Sequence, residues 1–247
     1  MNGNPQENAA QEQEIAHEII KYLPETANCS QMAHALHVYY LSLKAYNLNV
    51  NLVADDSFKE FLYRHVLDSL SVFKAVNVDE NDVLVDIGSG AGFPGLPIKI
   101  CFPSISLISV ESIAKKANFQ SVLAESLNLK QVSVENVRAE AIAKTGLRGT
   151  ADKVVSRALA SLPILLELSL PLLKIGGKAI FYKTSSSSDE LKSAENALFK
   201  CGGEIFSEYD YRIRPEDPLR KLLIIKKTSK TPEIYPRNTG VPFKRPL

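Results

Sequence analysis

Tryptophan is absent from the 247 residues, methionine occurs twice and cysteine three times. Cys29, Cys101 and Cys201 are scattered, odd in number and include no Cys-x-x-Cys pair. That excludes a disulfide framework and a cysteine zinc site, and fits free thiols in a reducing cytoplasm. Histidine is scarce too: His34 and His37 stand three apart with no third ligand nearby, so the pair reads as a helix-surface coincidence and no metal is expected. Long hydrophobic runs are missing. A bilayer takes about 20 apolar residues, whereas the most apolar stretch, Ala158 to Leu173, carries Glu167, Pro163 and Pro171 and reads as a buried helix. The polar start, Met1 to Gln13, has no basic-then-apolar leader, so a cytoplasmic protein without a membrane partner is expected.

What is present is ordinary for a globular chain, 45% hydrophobic and 23% charged, with a net charge of only +1. The charge is unevenly placed. Residues 1–30 hold five glutamates against Lys21, whereas residues 212–247 hold ten Lys/Arg against Glu216, Asp217 and Glu233. The basic end, with Lys226 and Lys227, permits a phosphate-facing surface; a solvated lysine-rich strand edge and tail explains the charge equally well.

From about Glu12 to Val76 the patterns are helical. Ile15, Ile19, Ile20 and Leu23 keep helical spacing up to Pro24, and further runs cover Met32–Leu43 and Phe58–Val76. After Val78 strands and helices alternate. Strands are predicted over Asp82–Ile87, Ile105–Val110, Gln131–Val134, Lys153–Ser156, Lys178–Tyr182, Glu204–Tyr211 and Leu219–Lys226. Helices are predicted over Ala114–Leu127, Leu162–Leu173 and Asp189–Lys200. Helical crossovers imply a mostly parallel sheet, and the short link before the last strand implies a terminal antiparallel hairpin. The expected architecture is α/β: residues 1–77 form an N-terminal helical extension, and residues 78–247 a Rossmann-like domain with a seven-stranded, mostly parallel sheet. Ser185–Ser188 reads as a loop.

The strand Val83-Leu-Val-Asp-Ile87 runs into Gly88-Ser-Gly-Ala-Gly92 and then Phe93-Pro-Gly-Leu-Pro97. Gly88, Gly90 and Gly92 allow positive φ and close approach of backbone to a ligand, at the strand end where open α/β sheets bind. The loop alone also suits nicotinamide enzymes, since Gly90, Gly92 and Gly95 satisfy G-x-G-x-x-G. Asp86 tilts the reading. A carboxylate two residues before the first glycine can face the cationic amino-acid end of S-adenosylmethionine but sits awkwardly beside a pyrophosphate. Glu111, after the second strand, stands where an acid accepts from ribose hydroxyls, and the backbone around Ala139 and Glu140 can meet an adenine edge.

Further residues carry a resemblance. Arg64-His-Val-Leu-Asp-Ser-Leu70, the loop Asp86 to Pro97, Glu111-Ser with Lys115, Lys116 and Phe119, Arg138-Ala-Glu140, Ser156-Arg-Ala158, Gly176-Gly177 and Lys183 occur in order. A C-terminal Pro236-Arg, Gly240 and Pro246-Leu247 follow. From about Tyr39 to Leu247 the chain resembles the bacterial 16S ribosomal RNA guanine-N7 methyltransferase family, also called glucose-inhibited division protein B. The resemblance implies a class I S-adenosylmethionine-dependent fold, with 16S ribosomal RNA or the small subunit as partner and a monomeric enzyme. It also implies donor contacts at Gly88, Phe93, Ala139, Glu140 and Arg157. Thr184 stands where that family usually has glycine, and Ala45-Tyr46-Asn47 where it commonly has Trp-Asn.

Guanine N7 carries a free lone pair, so methylation needs in-line alignment and no general base; this agrees with the lack of a Ser/His/Asp or cysteine nucleophile. His65, Asp68 and Ser69 share a helical face that could close over the site or merely tie the helix to the sheet. Arg157 ends the fourth strand. It is expected to face the donor pocket, away from the helical covering, and to act with His65 and Asp68; pairing with Glu140 or Asp152 is the structural alternative. A methyltransferase for a small molecule or protein, a nicotinamide oxidoreductase and a non-catalytic RNA-binding protein remain alternatives.

Overall fold

A computed structural model describes residues 4–24, 27–184 and 188–247. The loop expected at Ser185–Ser188 lies outside these residues except for Ser188, which begins a helix. The N-terminal part contains α1 (Pro5–Ile19), α2 (Cys29–Asn47), a π-helix (Glu60–Leu67) and two short turns, α3 (Asp68–Leu70) and α4 (Val72–Ala75). Asn4 and Asn28 cap the two long helices, accepting from the backbone N–H of Gln6 and Gln31. The stretch Phe58–Val76 is therefore not one regular helix as its periodicity suggests. A π-turn closes i to i+5 bonds and rotates the side chains that follow it.

The rest alternates as expected: β1 (Val83–Ile87), α5 (Gly95–Cys101), β2 (Ser106–Val110), α6 (Ala114–Ser126), β3 (Val132–Glu135) and α7 (Ala139–Ile142). Then come β4 (Ala151–Arg157), α8 (Leu162–Ser169), β5 (Leu173–Lys183), α9 (Ser188–Ser193), α10 (Glu195–Cys201), β6 (Gly203–Tyr211), β7 (Arg220–Lys227) and α11 (Val241–Lys244). The sheet runs β3-β2-β1-β4-β5-β7-β6. The first five strands are parallel, and β7 enters antiparallel between β5 and β6. The helix expected to reach Leu173 stops at Ser169, with a 3-10 turn over Leu170–Leu172. Pro171 has no N–H to continue it.

Strand alternation sorts side chains onto two apolar cores. Leu84, Leu107, Val155, Ile180 and Leu222 face one core, which also takes Ile15, Ile19, Leu36 and Phe61 of the N-terminal helices. Val85, Ile87, Val154, Phe181 and Leu223 face the other, filled by α8 and α10. Both faces are covered, so the central strands read as continuous apolar runs. Asp86 and Arg157 keep the period-2 alternation with Leu84 and Val155, which turns both toward the N-terminal helices. His37 is not a surface residue: it is buried, and ties α2 to α1 through Gln11 and Glu12 at 3.0 and 3.2 Å.

At least half of the ten basic residues at the C-terminal end are paired or buried within the fold. Arg220 pairs with Asp68, Lys221 with Glu208, Arg214 with Asp217 and Arg237 with Glu167. Lys227 corrects the phosphate-surface expectation. It is 2% exposed, donates to the Cys201 carbonyl at 2.6 Å and to Thr231, and burial pulls its ammonium down to about 8. Lys227→Ala should therefore cost about 1–3 kcal/mol of stability by removing two buried hydrogen bonds, although the Cys201 carbonyl keeps the Thr231 hydroxyl at 2.6 Å. The slope of RNA affinity against salt should not change. A flattened slope at unchanged thermal midpoint would return Lys227 to the RNA surface.

Candidate active site

The chain leaves β1 through Gly88, Gly90 and Gly92, with φ of 71°, 59° and 100°. The turn is held from three sides. The N–H groups of Gly88 and Ser89 donate to the Val110 carbonyl at 2.9 and 3.2 Å. The Gly90 N–H donates to Glu111 Oε2 at 2.8 Å. Gln120 Nε2 donates to Ser89 Oγ and to the Gly90 carbonyl, both at 2.8 Å. Glu111 Oε1 accepts from the Ile113 N–H at 2.7 Å, so this acid shapes the turn while each oxygen keeps a second lone pair. A Cβ on Gly88 would stand 2.7 Å from Leu159 Cδ1, at a φ that β-branched residues avoid. Gly88→Val should weaken S-adenosylmethionine binding by about five- to a hundredfold through strain of order 1–3 kcal/mol. Native-like binding in calorimetry would remove the turn from the donor site.

Asp86 is fully buried, and its Oδ2 accepts from the Gly95 N–H at 2.8 Å. Its Oδ1 has no partner. Burial pushes the carboxyl up to about 7, against the opposing pull of the Gly95 N–H and the Arg157 guanidinium. A buried, half-satisfied acid is costly, and a cation brought beside it would be held strongly. The donor set thus fits the ammonium end of the expected methyl donor.

Arg157 ends β4, as expected, but its guanidinium meets the helical covering. Nη1 donates to the Arg64 carbonyl at 2.9 Å and to Asp68 Oδ2 at 3.0 Å, and Nη2 bonds His65 Nδ1 at 3.0 Å. Neither Glu140 nor Asp152 takes it. Since guanidinium only donates, His65 Nδ1 must accept, which places the ring proton on Nε2. Burial and the Arg157 charge pull His65 down to about 3, so the ring is neutral and holds no proton to trade near neutrality. Asp68 also accepts from Tyr211 at 2.7 Å and pairs with Arg220 at 2.8 Å. Ser69 turns back to the His65 carbonyl at 2.6 Å and takes no part in the cluster.

Phe93 joins this cluster to the glycine turn. His65 stacks on one side of it at 4.6 Å and Tyr39 at 5.2 Å, and the Arg157 guanidinium lies 5.3 Å from its ring. A cleft of about 440 Å3 opens over Arg64, His65, Arg157, Lys183, Thr184 and Arg220. A smaller pocket of about 60 Å3 lies beside Gly88, with Ala139 and Glu140 on its rim. The sequence-predicted residues therefore divide into two groups: Asp86, the glycines, Glu111, Ala139 and Glu140 around the turn, and His65, Asp68 and Arg157 at the cleft, with Phe93 between.

Several participants escaped sequence reasoning. Tyr39 donates to the Ala91 carbonyl at 2.5 Å. Gln120 is buried under the turn, and Arg220 and Tyr211 come from the terminal strands to Asp68. Ala158, next to Arg157, holds φ at 55°, a conformation non-glycine residues visit at a cost. Gln120 and Tyr39 left one signal, a polar group inside an otherwise apolar helical face. Among the described residues, no group of three or more His, Cys, Asp or Glu side chains could hold a metal ion, and no helix is long and apolar enough to cross a membrane.

Residues 32–208 match the family described as GidB, rRNA small subunit methyltransferase G. The ribosomal RNA small subunit methyltransferase G of Lachnoclostridium phytofermentans is 40% identical over 211 residues, covering 85% of this chain and 87% of its own. That of Streptococcus suis is 39% identical over 219 residues, covering 88% and 92%. Among solved structures, the 16S rRNA (adenine(1408)-N(1))-methyltransferase of Catenulisporales acidiphilia aligns with a TM-score of 0.52 at 14% identity, covering 62% of this chain and 88% of its own. Pyrococcus horikoshii TYW2 in complex with MeSAdo gives 0.52 at 15%, covering 66% and 62%. Likeness at that identity speaks for the fold alone.

Proposed function

The chain belongs to the family of rRNA small subunit methyltransferase G, and from that premise we propose that it transfers the methyl group of S-adenosylmethionine to N7 of a guanine in 16S ribosomal RNA. The observation that carries the reading is the buried Asp86 with an unpartnered oxygen beside the glycine turn, one aromatic ring away from an arginine-lined cleft.

Bound S-adenosylmethionine supplies an electrophilic methyl group on a sulfonium centre. Asp86 would hold the ammonium end, Glu111 the ribose hydroxyls, and the Ala139–Glu140 segment the adenine. As the cation arrives, a proton held by Asp86 is released to solvent, which leaves a paired carboxylate in place of a buried neutral acid. Phe93 keeps water from the side of the turn that faces the cleft. Arg157, fixed by three bonds to the π-helix region, presents a cation to the RNA phosphate or to the guanine O6 edge, where a planar fork orients better than a point charge. No residue has to remove a proton from N7, and the neutral His65 is accordingly a positioning residue. The N7 edge lies in the deep, narrow major groove of A-form RNA, so the target is an unpaired or splayed guanine. We place the enzyme in the cytoplasm as a monomer, with residues 1–77 as a helical extension on the 78–247 catalytic domain.

The test is transfer of a labelled methyl group to naked small-subunit rRNA and to small subunits. Label that ribonuclease releases and protease does not supports an RNA acceptor. Label retained by ribosomal protein, or transfer only to small molecules, overturns it.

A further inference from the structure

The small pocket beside Gly88 takes one of its walls from the C-terminal segment that follows the sheet. Besides Val110, Val137 and Leu159 it is lined by Phe243 of α11, in a C-terminal segment beyond residue 208, where the family match ends. That segment is tied down at three points. The Arg237 Nε and Nη2 groups donate to the Glu167 carboxylate, which is fully buried, at 2.9 and 2.6 Å. Arg148 donates to the carbonyls of Tyr235, Thr231 and Pro232 at 2.8, 2.9 and 3.0 Å. The Gly240 N–H donates to Glu140 Oε1 at 2.7 Å. The last tie occupies a residue expected to touch the donor, and it sets the turn from which Phe243 projects.

Phe243 is unused by the fold. It belongs to neither apolar core and remains 44% exposed, yet it stands on the pocket rim. The pocket's roughly 60 Å3 holds a few waters and no purine, so an aromatic base can enter only if the walls give way. Val110, Val137 and Leu159 give the pocket apolar walls and Ser112, Arg138 and Glu140 polar ones, and such a slot with one exposed aromatic suits a flat heterocycle whose face stacks on a phenyl ring and whose edge carries hydrogen-bonding atoms.

We infer that Phe243 is the residue that covers the adenine of the methyl donor, and that Glu140 acts mainly as its positioning residue through Gly240. The inference rests on the donor reading given above. The experiment compares S-adenosylhomocysteine binding by calorimetry to the native chain, Phe243→Ala, Phe243→Tyr and Gly88→Val. Phe243→Ala should raise Kd about tenfold, in line with the worth of one base-stacking aromatic. Phe243→Tyr should bind like the native chain, and the ligand-free thermal midpoint of both should be unchanged. In methyl transfer, Phe243→Ala should raise KM for the donor and leave kcat at saturating donor intact. Native-like binding by Phe243→Ala overturns the inference, as does a loss that Tyr does not restore and that comes with a lowered midpoint. If Gly88→Val also binds normally, the donor reading itself fails; if Gly88→Val alone loses binding, that reading stands without Phe243.

Discussion

Asp86→Asn should raise the Kd for S-adenosylmethionine about a hundredfold at pH 8, the worth of one buried hydrogen bond to a charged group. The loss should shrink in acid, because the native carboxyl holds its proton up to about 7. Below that value the native site resembles the variant, so native affinity should climb about tenfold per pH unit toward 7 and then level off, while the variant stays flat. Stability runs the other way. An unfolded aspartate titrates near about 3.9, so between there and about 7 the folded chain binds the extra proton. Folding stability therefore falls as pH rises through that window, and the whole cost is present above it. Asp86→Asn lacks this contribution, so its thermal midpoint should gain on the native one between about pH 4 and 7 and hold that gain above. Equal Kd values for the two proteins at pH 8 would remove Asp86 from the donor site.

Arg157→Ala is expected to lower methyl transfer per folded molecule by about 10²–10³, the usual cost of one preorganised donor at a reacting centre. The fold should survive, since Asp68 keeps Arg220 and the Tyr211 hydroxyl and is not left as an unpaired buried charge. Loss of the bonds to Arg64, His65 and Asp68 should still lower the thermal midpoint by a few degrees, about 2–4 °C per kcal/mol for a chain of this size. Arg157→Lys keeps the charge but reaches fewer of the three partners, and should fall nearly as far in turnover. Near-native turnover with a lowered midpoint in both variants would make Arg157 a strut between sheet and helices and nothing more.

The difference between legible and hidden features is physical. The strand Val83–Ile87 is buried on both faces, so its apolar run announced it, and Asp86 stood out as a carboxylate in that run. The first part of β5 was invisible because Lys174-Ile-Gly-Gly177 is exposed, charged and glycine-rich, with nothing periodic to read. The π-turn at Glu60–Leu67 left no mark, since one extra residue per turn barely disturbs an apolar pattern this short. Lys227 reads as exposed, to phosphate or to solvent, because a lysine at a strand end usually is; its bonds to Cys201 and Thr231 explain its burial. Arg157 ends its strand and meets His65 and Asp68, the residues expected to act with it, but it faces the helical covering and not the donor pocket, because the direction of a side chain whose partners lie 89 and 93 residues away is set by packing and not by spacing. Phe243 lay in a four-residue helix, too short for periodicity to point anywhere.

The acceptor atom is tested most directly by nucleoside analysis of methylated RNA. Small-subunit rRNA labelled by this enzyme from S-adenosylmethionine is digested to nucleosides and separated by chromatography with mass detection. Transfer to N7 predicts that the label co-migrates with 7-methylguanosine and is absent from adenosine, cytidine and 2′-O-methylated products. Label in any other nucleoside, or none in RNA while the protein binds the donor normally, would contradict it.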